Sequence, residues 1–127
     1  MEMPEILLVE DNAGDALLVG QTLAERSPQW HLHIARDGEQ ALQILDQSDF
    51  KPDLIILDLN IPRISGFTVL ALNPLAAPVV VFSASDSDRD IERARILGAV
   101  DYVHKPLDLE DYKIAVLNMV EKWTSRN

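Results

Sequence analysis

Short, continuously apolar runs recur along the chain and are separated by longer amphipathic stretches. The runs within residues 5–9, 54–57 and 79–82 lack polar interruptions, which is typical of strands that are buried on both faces. Residues 30–35 alternate between apolar and polar, and residues 100–104 are short and mixed, so both segments fit strands at the edges of a sheet. The pattern therefore predicts five strands, three of them central.

Stripes of apolar residues at helical spacing follow each predicted strand. The five predicted helices run from near Gly14 to Arg26, from the Asp37-Gly38 turn to about Gln47, from near Ser65 and Gly66, from near Asp86, and from near Asp108. Pro28 is expected to stop the first helix. Because a residue before proline avoids helical backbone, Asn73 before Pro74 should end helix three by about Leu72. Helix three should therefore be only about two turns long.

Five strand-helix units in series favour an α/β fold with helices on both faces of a parallel sheet. The central and edge assignments match a flavodoxin-like (βα)5 sandwich with strand order 2-1-3-4-5. In such sheets the functional site lies at the carboxyl ends of the strands, beside the switch between strands one and three. We expect residues 1–127 to form a single domain with its site at that edge.

Net charge and cysteine content argue against several classes of binding partner and metal site. The formal net charge of the 127 residues is -10, which argues against nucleic acid and anionic membrane as partners. The chain has no cysteine, so disulfides and thiolate metal sites are excluded. Neither a signal peptide nor an apolar run of membrane-spanning length is recognisable, and a cytoplasmic protein is expected.

Polar residues with complementary chemistry stand where four predicted strands end. Glu10 and Asp11 follow strand one, Asp58 follows strand three, Ser83 ends strand four, and Lys105 follows strand five. Clustered carboxylates repel one another, at a cost of roughly 3 kcal/mol per pair at about 5 Å and an effective dielectric near 20. A bound cation would remove that cost, and oxygen ligands of this kind suit Mg²⁺. Converging strand ends would thus form a metal and phosphoryl site.

Asp58 is the candidate nucleophile of this site, because a carboxylate can attack phosphorus and form an aspartyl phosphate. The ammonium of Lys105 and the hydroxyl of Ser83 could bind the phosphoryl oxygens. Taken singly, a pair such as Glu10-Asp11 after a strand is more often a helix cap and a solvated face, and a lone Asp or a lone Lys before Pro is equally uninformative. Their joint occurrence at successive strand ends favours the functional interpretation.

The chain resembles the receiver domains of two-component response regulators over almost its whole length. The matching stretches are ILLVEDN at 6–12, ARDGEQAL at 35–42, PDLIILDLNIPRISG at 52–66, VVVFSAS at 79–85 and GAVDYVHKPL at 98–107. The resemblance implies that Asp58 is the phosphoacceptor, with Lys105 and Ser83 assisting. It also implies that Mg²⁺ is held by Glu10, Asp11, Asp58 and the backbone carbonyl of Asn60, and that Ser83 and Tyr102 are switch residues.

The resemblance further implies a sensor histidine kinase as partner, whose phosphohistidine donates the phosphoryl group. Phosphorylation would change the surface formed by helix four, strand five and helix five, which then binds a partner or a second copy of the chain. Such a module catalyses only its own phosphorylation and dephosphorylation and is otherwise not an enzyme. The stretches around Glu10 and Asp58 are similar to small stand-alone receivers that are paired with bacterial phytochromes.

Three alternatives remain beside this interpretation. Phosphatases of the haloacid dehalogenase type also form an aspartyl phosphate, but they carry a second acid two residues after the nucleophile, where this chain has Asn60. A pseudo-receiver would be a binding domain that is not phosphorylated, and such domains lack acidic residues that are present here. A flavin-binding domain would need a phosphate-binding loop rich in Gly, Ser and Thr after strand one, and none is found.

Overall fold

A computed structural model of the protein describes residues 3–26, 30–73 and 77–124. Five strands and five helices alternate along these residues. The strands are β1 (Glu5–Val9), β2 (His31–Ala35), β3 (Leu54–Leu57), β4 (Val79–Ser83) and β5 (Asp101–His104). The helices are α1 (Ala13–Ala24), α2 (Gly38–Leu45), α3 (Gly66–Leu72), α4 (Asp88–Ile96) and α5 (Leu109–Thr124).

The strands form one sheet in the order β2-β1-β3-β4-β5, with every neighbouring pair parallel. The predicted flavodoxin-like topology is therefore confirmed. β1, β3 and β4 are central and almost wholly buried, whereas the two edge strands are partly exposed. The difference explains why only the central strands are continuously apolar.

Alternate side chains of the central strands fill two separate cores, one on each face of the sheet. On one face, Leu7, Ile55 and Val81 pack with residues of α2, α3 and α4. On the other face, Leu8, Ile56 and Phe82 pack with residues of α1 and α5. Both faces of each strand need apolar side chains, which is why the strands read as unbroken runs in the sequence.

Side-chain caps fix where the helices begin. Asn12, Asp37, Ser65 and Ser87 each accept a hydrogen bond from a backbone N–H in the first turn of α1, α2, α3 and α4, respectively. These caps stabilise each helix by about 1 kcal/mol. The predicted start of helix four near Asp86 is wrong by two residues, because Ser87 is the cap. Helices one and two also end about two residues earlier than predicted.

Helix α3 is as short as predicted and spans seven residues. It packs directly on the backbone that carries Asp58, and Gly66 makes this approach feasible. A Cβ atom on Gly66 would lie 2.5 Å from the carbonyl oxygen of Asp58 and 2.6 Å from the Cα of Leu59. The position of α3 is therefore tied to that of Asp58. Pro28 and Pro74, which were expected to end helices one and three, lie outside the described residues.

Helix α5 covers the sheet next to α1 and buries Tyr112, Val116 and Val120 against it. Near its C-terminal end, the hydroxyl of Thr124 accepts a hydrogen bond of 3.1 Å from the indole of Trp30. This contact attaches the last turn of α5 to the segment that leads into β2. Among the described residues no helix, α5 included, combines the length and apolar character that crossing a membrane requires.

Candidate functional site

The parallel pairing of β1 and β3 brings two carboxylates to one edge of the sheet. Val9 pairs with Leu57 in the register of these strands, so the residues that follow them, Glu10 and Asp58, lie side by side. The backbone N–H of Asp58 donates to the carbonyl of Val9 at 3.0 Å, which continues the pairing to the site. Ligand oxygens of Glu10, Asp11 and Asp58 all lie within 4.8 Å of one another.

Local hydrogen bonds orient the two buried carboxylates. Glu10 is 2% exposed and Asp58 is 8% exposed, whereas Asp11 faces solvent. Oδ1 of Asp58 accepts from the backbone N–H of Asn60 at 3.1 Å, and Oε2 of Glu10 accepts from the N–H of Asn12 at 3.2 Å. One oxygen of each carboxylate is thus held by the loop that follows its own strand.

Lys105 supplies the positive charge of this cluster. Its Nζ donates to Oε1 of Glu10 at 2.6 Å and to Oδ2 of Asp58 at 3.1 Å. The backbone N–H of Lys105 donates to the carbonyl of Ser83 at 2.7 Å, so the pairing of β4 and β5 places the residue. Burial opposes the charged form of Lys105, but the bond to Glu10 and the charge of Asp58 outweigh it and raise the pKa.

One lysine does not neutralise the cluster. Burial, opposed by the hydrogen bond from Lys105 and reinforced by the charge of Asp58, raises the pKa of Glu10 to about 7. Burial of a carboxyl group disfavours its ionised form, and a cation bound beside it would favour that form again. The all-oxygen set of Glu10, Asp11 and Asp58 fits a hard divalent ion such as Mg²⁺ in both chemistry and spacing.

Ser83 and Tyr102 both form hydrogen bonds with the loop that follows β4. The fully buried hydroxyl of Ser83 accepts from the backbone N–H of Ser85 at 3.2 Å. The hydroxyl of Tyr102 donates to the backbone carbonyl of Ser85 at 2.8 Å. Both predicted switch residues are therefore bonded to the backbone of Ser85, Ser83 through its N–H and Tyr102 through its carbonyl.

Two residues that support Lys105 beside the acidic cluster escaped the sequence analysis. Oδ2 of Asp15 is 3.4 Å from Nζ of Lys105, and its Oδ1 accepts from the hydroxyl of Tyr112 at 2.8 Å. The buried position of Tyr112, with the neighbouring charge of Asp15, raises the pKa of its hydroxyl, which therefore stays protonated as a donor. An acidic residue in the first turn of a helix is ordinarily explained by the helix dipole, so the position of Asp15 did not reveal its contact with Lys105.

Comparison with known proteins agrees with this geometry. The family model for the response regulator receiver domain matches residues 6–117. The crystal structure of a phosphorylated cyanobacterial phytochrome response regulator, RcpA, superposes with a TM-score of 0.91 and 35% identity, covering 98% of this chain and 96% of RcpA. The Mn²⁺-bound form of the response regulator Rcp1 superposes with a TM-score of 0.88 and 33% identity, covering 98% and 97% of the two chains.

Some relatives are about as long as this chain, and others are much longer. Rcp1 from Synechocystis sp. is 35% identical over 93% of this chain and 87% of its own length. A probable methanogenesis regulatory protein, FilR2 from Methanothrix harundinacea, is 34% identical over 96% of this chain and 84% of its own. In a protein-glutamate methylesterase from Geobacter sulfurreducens, the match spans only 29% of the relative. The chain thus belongs to the response regulator receiver family, the phosphoacceptor modules of two-component signalling.

Proposed function

We propose that Asp58 accepts a phosphoryl group from the phosphohistidine of a sensor histidine kinase, with Mg²⁺ bound beside it. The observation that carries the proposal is that Asp58 accepts from Lys105 at 3.1 Å and lies within 4.8 Å of ligand oxygens of Glu10 and Asp11. A buried carboxylate that is grouped with an ammonium and with acids able to hold a divalent ion is suited to phosphoryl transfer.

The transfer is a displacement at phosphorus. An oxygen of Asp58 forms the new P–O bond while the P–N bond breaks, and the imidazole of the kinase leaves with that electron pair. Lys105 already bonds to Oδ2 of Asp58, so its ammonium can stabilise an incoming phosphoryl oxygen. Glu10, Asp11, Asp58 and the backbone carbonyl of Asn60 would hold Mg²⁺, which would supply positive charge where negative charge develops on the phosphoryl group. Hydrolysis by water returns the free carboxylate.

A conformational switch would follow from a change in the hydrogen bonding of the Ser83 hydroxyl. Its hydroxyl now accepts from the N–H of Ser85, and donation to a phosphoryl oxygen would pull the hydroxyl toward Asp58. Tyr102 is bonded to the carbonyl of the same Ser85 and is coupled to any movement of that loop. Tyr102 also lines a hollow of about 280 Å³ with Ile91, Arg95 and Val100. Phosphorylation would thus favour one of two shapes of the α4-β5-α5 surface.

The proposed partners follow from the family and the relatives. Receiver domains act with histidine kinases, and the likeness to RcpA and Rcp1 supports a phytochrome-type kinase. The Mn²⁺-bound form of Rcp1 supports a divalent ion at the acidic cluster. We further propose that residues 1–127 act in the cytoplasm as one domain whose output is association with a protein partner or a second copy.

Turnover as a phosphatase is the weaker alternative. Asn60 stands where a phosphatase of this chemistry would carry its second acid, and its backbone N–H binds Asp58 at 3.1 Å. A pseudo-receiver is also disfavoured, because acceptor, acidic pair and lysine are all present and in contact. We expect no multiple-turnover hydrolysis of phosphate monoesters.

Intact-mass measurement after incubation with Mg²⁺ and a small acyl phosphate tests the proposal. The wild type should gain one phosphoryl group, and neither Asp58→Ala nor the wild type in EDTA should gain any. Asp49→Ala removes an exposed aspartate away from the cluster and should gain the group normally. A wild type without the adduct, or an undiminished adduct on Asp58→Ala, would refute Asp58 as acceptor.

A further inference from the structure

The ammonium of Lys105 has three N–H donors and three carboxylate acceptors. The acceptors are Glu10 at 2.6 Å, Asp58 at 3.1 Å and Asp15 at 3.4 Å. Glu10 and Asp58 come from the ends of central strands, whereas Asp15 comes from the first turn of α1. Lys105 is therefore held from the helix side as well as from the sheet.

We propose that Asp15, held in turn by Tyr112, is a positioning residue for Lys105 in phosphoryl transfer to Asp58. The inference rests on the function proposed above. It assigns no contact with the phosphoryl group to Asp15, which acts through the lysine.

The three acids differ in what else they must bind. Glu10 and Asp58 belong to the cluster whose oxygens can share a metal ion, together with Asp11. Within the described residues Asp15 is outside that cluster. When Glu10 and Asp58 bind the metal ion and the phosphoryl group, Asp15 is the one carboxylate of the three that still pairs with the ammonium of Lys105. It therefore keeps the ammonium in place at the moment when its other bonds are being exchanged.

Tyr112 makes Asp15 a fixed support. Its hydroxyl donates to Oδ1 of Asp15 at 2.8 Å, while the other oxygen of Asp15 faces Lys105. The Tyr112 side chain is buried, and its ring meets that of Phe82 edge-on with centroids 5.1 Å apart. Phe82 also lies beneath the ammonium of Lys105, 5.9 Å from it. The core of α5 and β4 thus fixes both the acid and the lysine that it holds.

Removing the charge of Asp15 should loosen Lys105 without changing the fold. Asn at this position keeps the size, but its single oxygen can accept from Tyr112 or from Lys105 and not from both, so the ammonium loses an anionic acceptor. Misplacement of a charged group in a transfer site costs rate steeply. We expect Asp15→Asn to slow phosphoryl uptake by Asp58 about fivefold, and Tyr112→Phe to slow it about twofold.

A matched control is available between the same two helices. Lys113 of α5 pairs with Glu25 at the C-terminal end of α1, with 3.1 Å between Nζ and Oε1. This ion pair joins α1 and α5 as the Asp15 contacts do, but it lies outside the site. Glu25→Gln therefore removes an ion pair between the same two helices and should leave phosphoryl uptake unaltered.

Two measurements test the inference on the full chain. NMR of protein labelled with ¹⁵N at lysine, in Mg²⁺ and without any phosphoryl donor, follows the Nζ signal of Lys105. The hydrogens of this buried ammonium should exchange at least about fivefold faster in Asp15→Asn than in wild type or Glu25→Gln. The rate of phosphoryl uptake from an acyl phosphate, read by intact mass, should fall in the same variants and not in the control.

Each outcome decides a distinct point. Faster lysine exchange together with slower uptake in Asp15→Asn supports positioning, and a double variant with Tyr112→Phe should be no slower than Asp15→Asn alone. Wild-type exchange or wild-type uptake in Asp15→Asn overturns it, as does an equal loss of uptake in Glu25→Gln. If the wild type takes up no phosphoryl group, the proposed function fails, while the lysine signal still tells whether Asp15 holds Lys105.

Discussion

Strand β1 carries one glutamate at each end, and the two are in opposite situations. Glu5 begins the strand, with its carboxylate 3.1 Å from Nδ1 of His31 and 3.1 Å from Nε2 of His33. Glu10 follows the strand, 2.6 Å from Nζ of Lys105. Each carboxylate thus has basic neighbours, but the side chain of Glu5 is 33% exposed and that of Glu10 only 3%.

Burial reverses the effect of the basic neighbours. At Glu5, slight burial would raise the pKa, but the hydrogen bonds to His33 and His31 outweigh it and lower the pKa. At Glu10, burial outweighs the bond from Lys105 and raises the pKa to about 7. The fold therefore destabilises the ionised form of Glu10 at one end of β1 and stabilises the ionised form of Glu5 at the other. Such unfavourable groups mark functional sites more often than structural ones.

Disturbing the backbone behind the buried end should have the largest effect on stability. In Gly66→Ala the new methyl group would lie 2.5 Å from the carbonyl of Asp58, so α3 or the loop carrying Asp58 must move. We expect unfolding free energy to fall by about 3 kcal/mol in urea denaturation. In the matched change Gly20→Ala, the methyl group meets only Leu32 at 3.8 Å, and stability should rise by up to about 1 kcal/mol. Equal effects of the two changes would contradict the close packing of α3 on Asp58.

The pH dependence of stability should separate the two glutamates. Because folding raises the pKa of Glu10 from 4.5 to about 7, the folded protein holds that proton more tightly than the unfolded chain. In EDTA, Glu10 should therefore lower the unfolding free energy progressively between about pH 4.5 and 7, by about 2 to 3 kcal/mol in total. Denaturation of Glu10→Gln at several pH values should lack this decline. A variant that declines as steeply as wild type would show that Glu10 ionises normally.

Magnesium should act at one end of β1 only. Binding to the folded state alone adds about 1.4 kcal/mol at a concentration about ten times the dissociation constant. Thermal unfolding should therefore shift upward with Mg²⁺ in wild type and in Glu5→Gln. The shift should shrink or vanish in Glu10→Gln and Asp11→Asn. A full Mg²⁺ shift in both acidic variants would place the ion elsewhere.

The exposed end of β1, at Glu5, should contribute least to the free energy of unfolding. With its lowered pKa, Glu5 adds stability above about pH 4.5 and loses it as pH falls further, the reverse of Glu10. Exposed ion pairs contribute less than about 1 kcal/mol, so Glu5→Gln and His33→Gln should each change stability by less than that at pH 7. Denaturation of the two single variants and the double variant measures the coupling. A coupling above about 2 kcal/mol would make this end as consequential as the buried one.

Local patterns were sufficient to predict the sheet and most of the site. Unbroken apolar runs identify the central strands, and the topology of parallel sheets places Glu10 and Asp58 next to each other. Asp15 and Tyr112 could not be paired in this way, because they are 97 residues apart and meet through side chains of two helices. The start of α4 was misplaced because Ser85, Ser87 and Asp90 offer competing local hydrogen bonds, and only their geometry selects Ser87 as the cap.

The central claim is that Asp58, which lies beside Glu10 at the buried end of β1, accepts a phosphoryl group. Locating that group in the sequence tests the claim most directly. Borohydride reduces an aspartyl phosphate to homoserine, which peptide mass spectrometry can assign to one position. After treatment of the wild type with Mg²⁺ and an acyl phosphate, homoserine should replace Asp58, while Glu10, Asp11 and Asp15 remain unmodified. Reduction at another acid, or at none, would contradict the account.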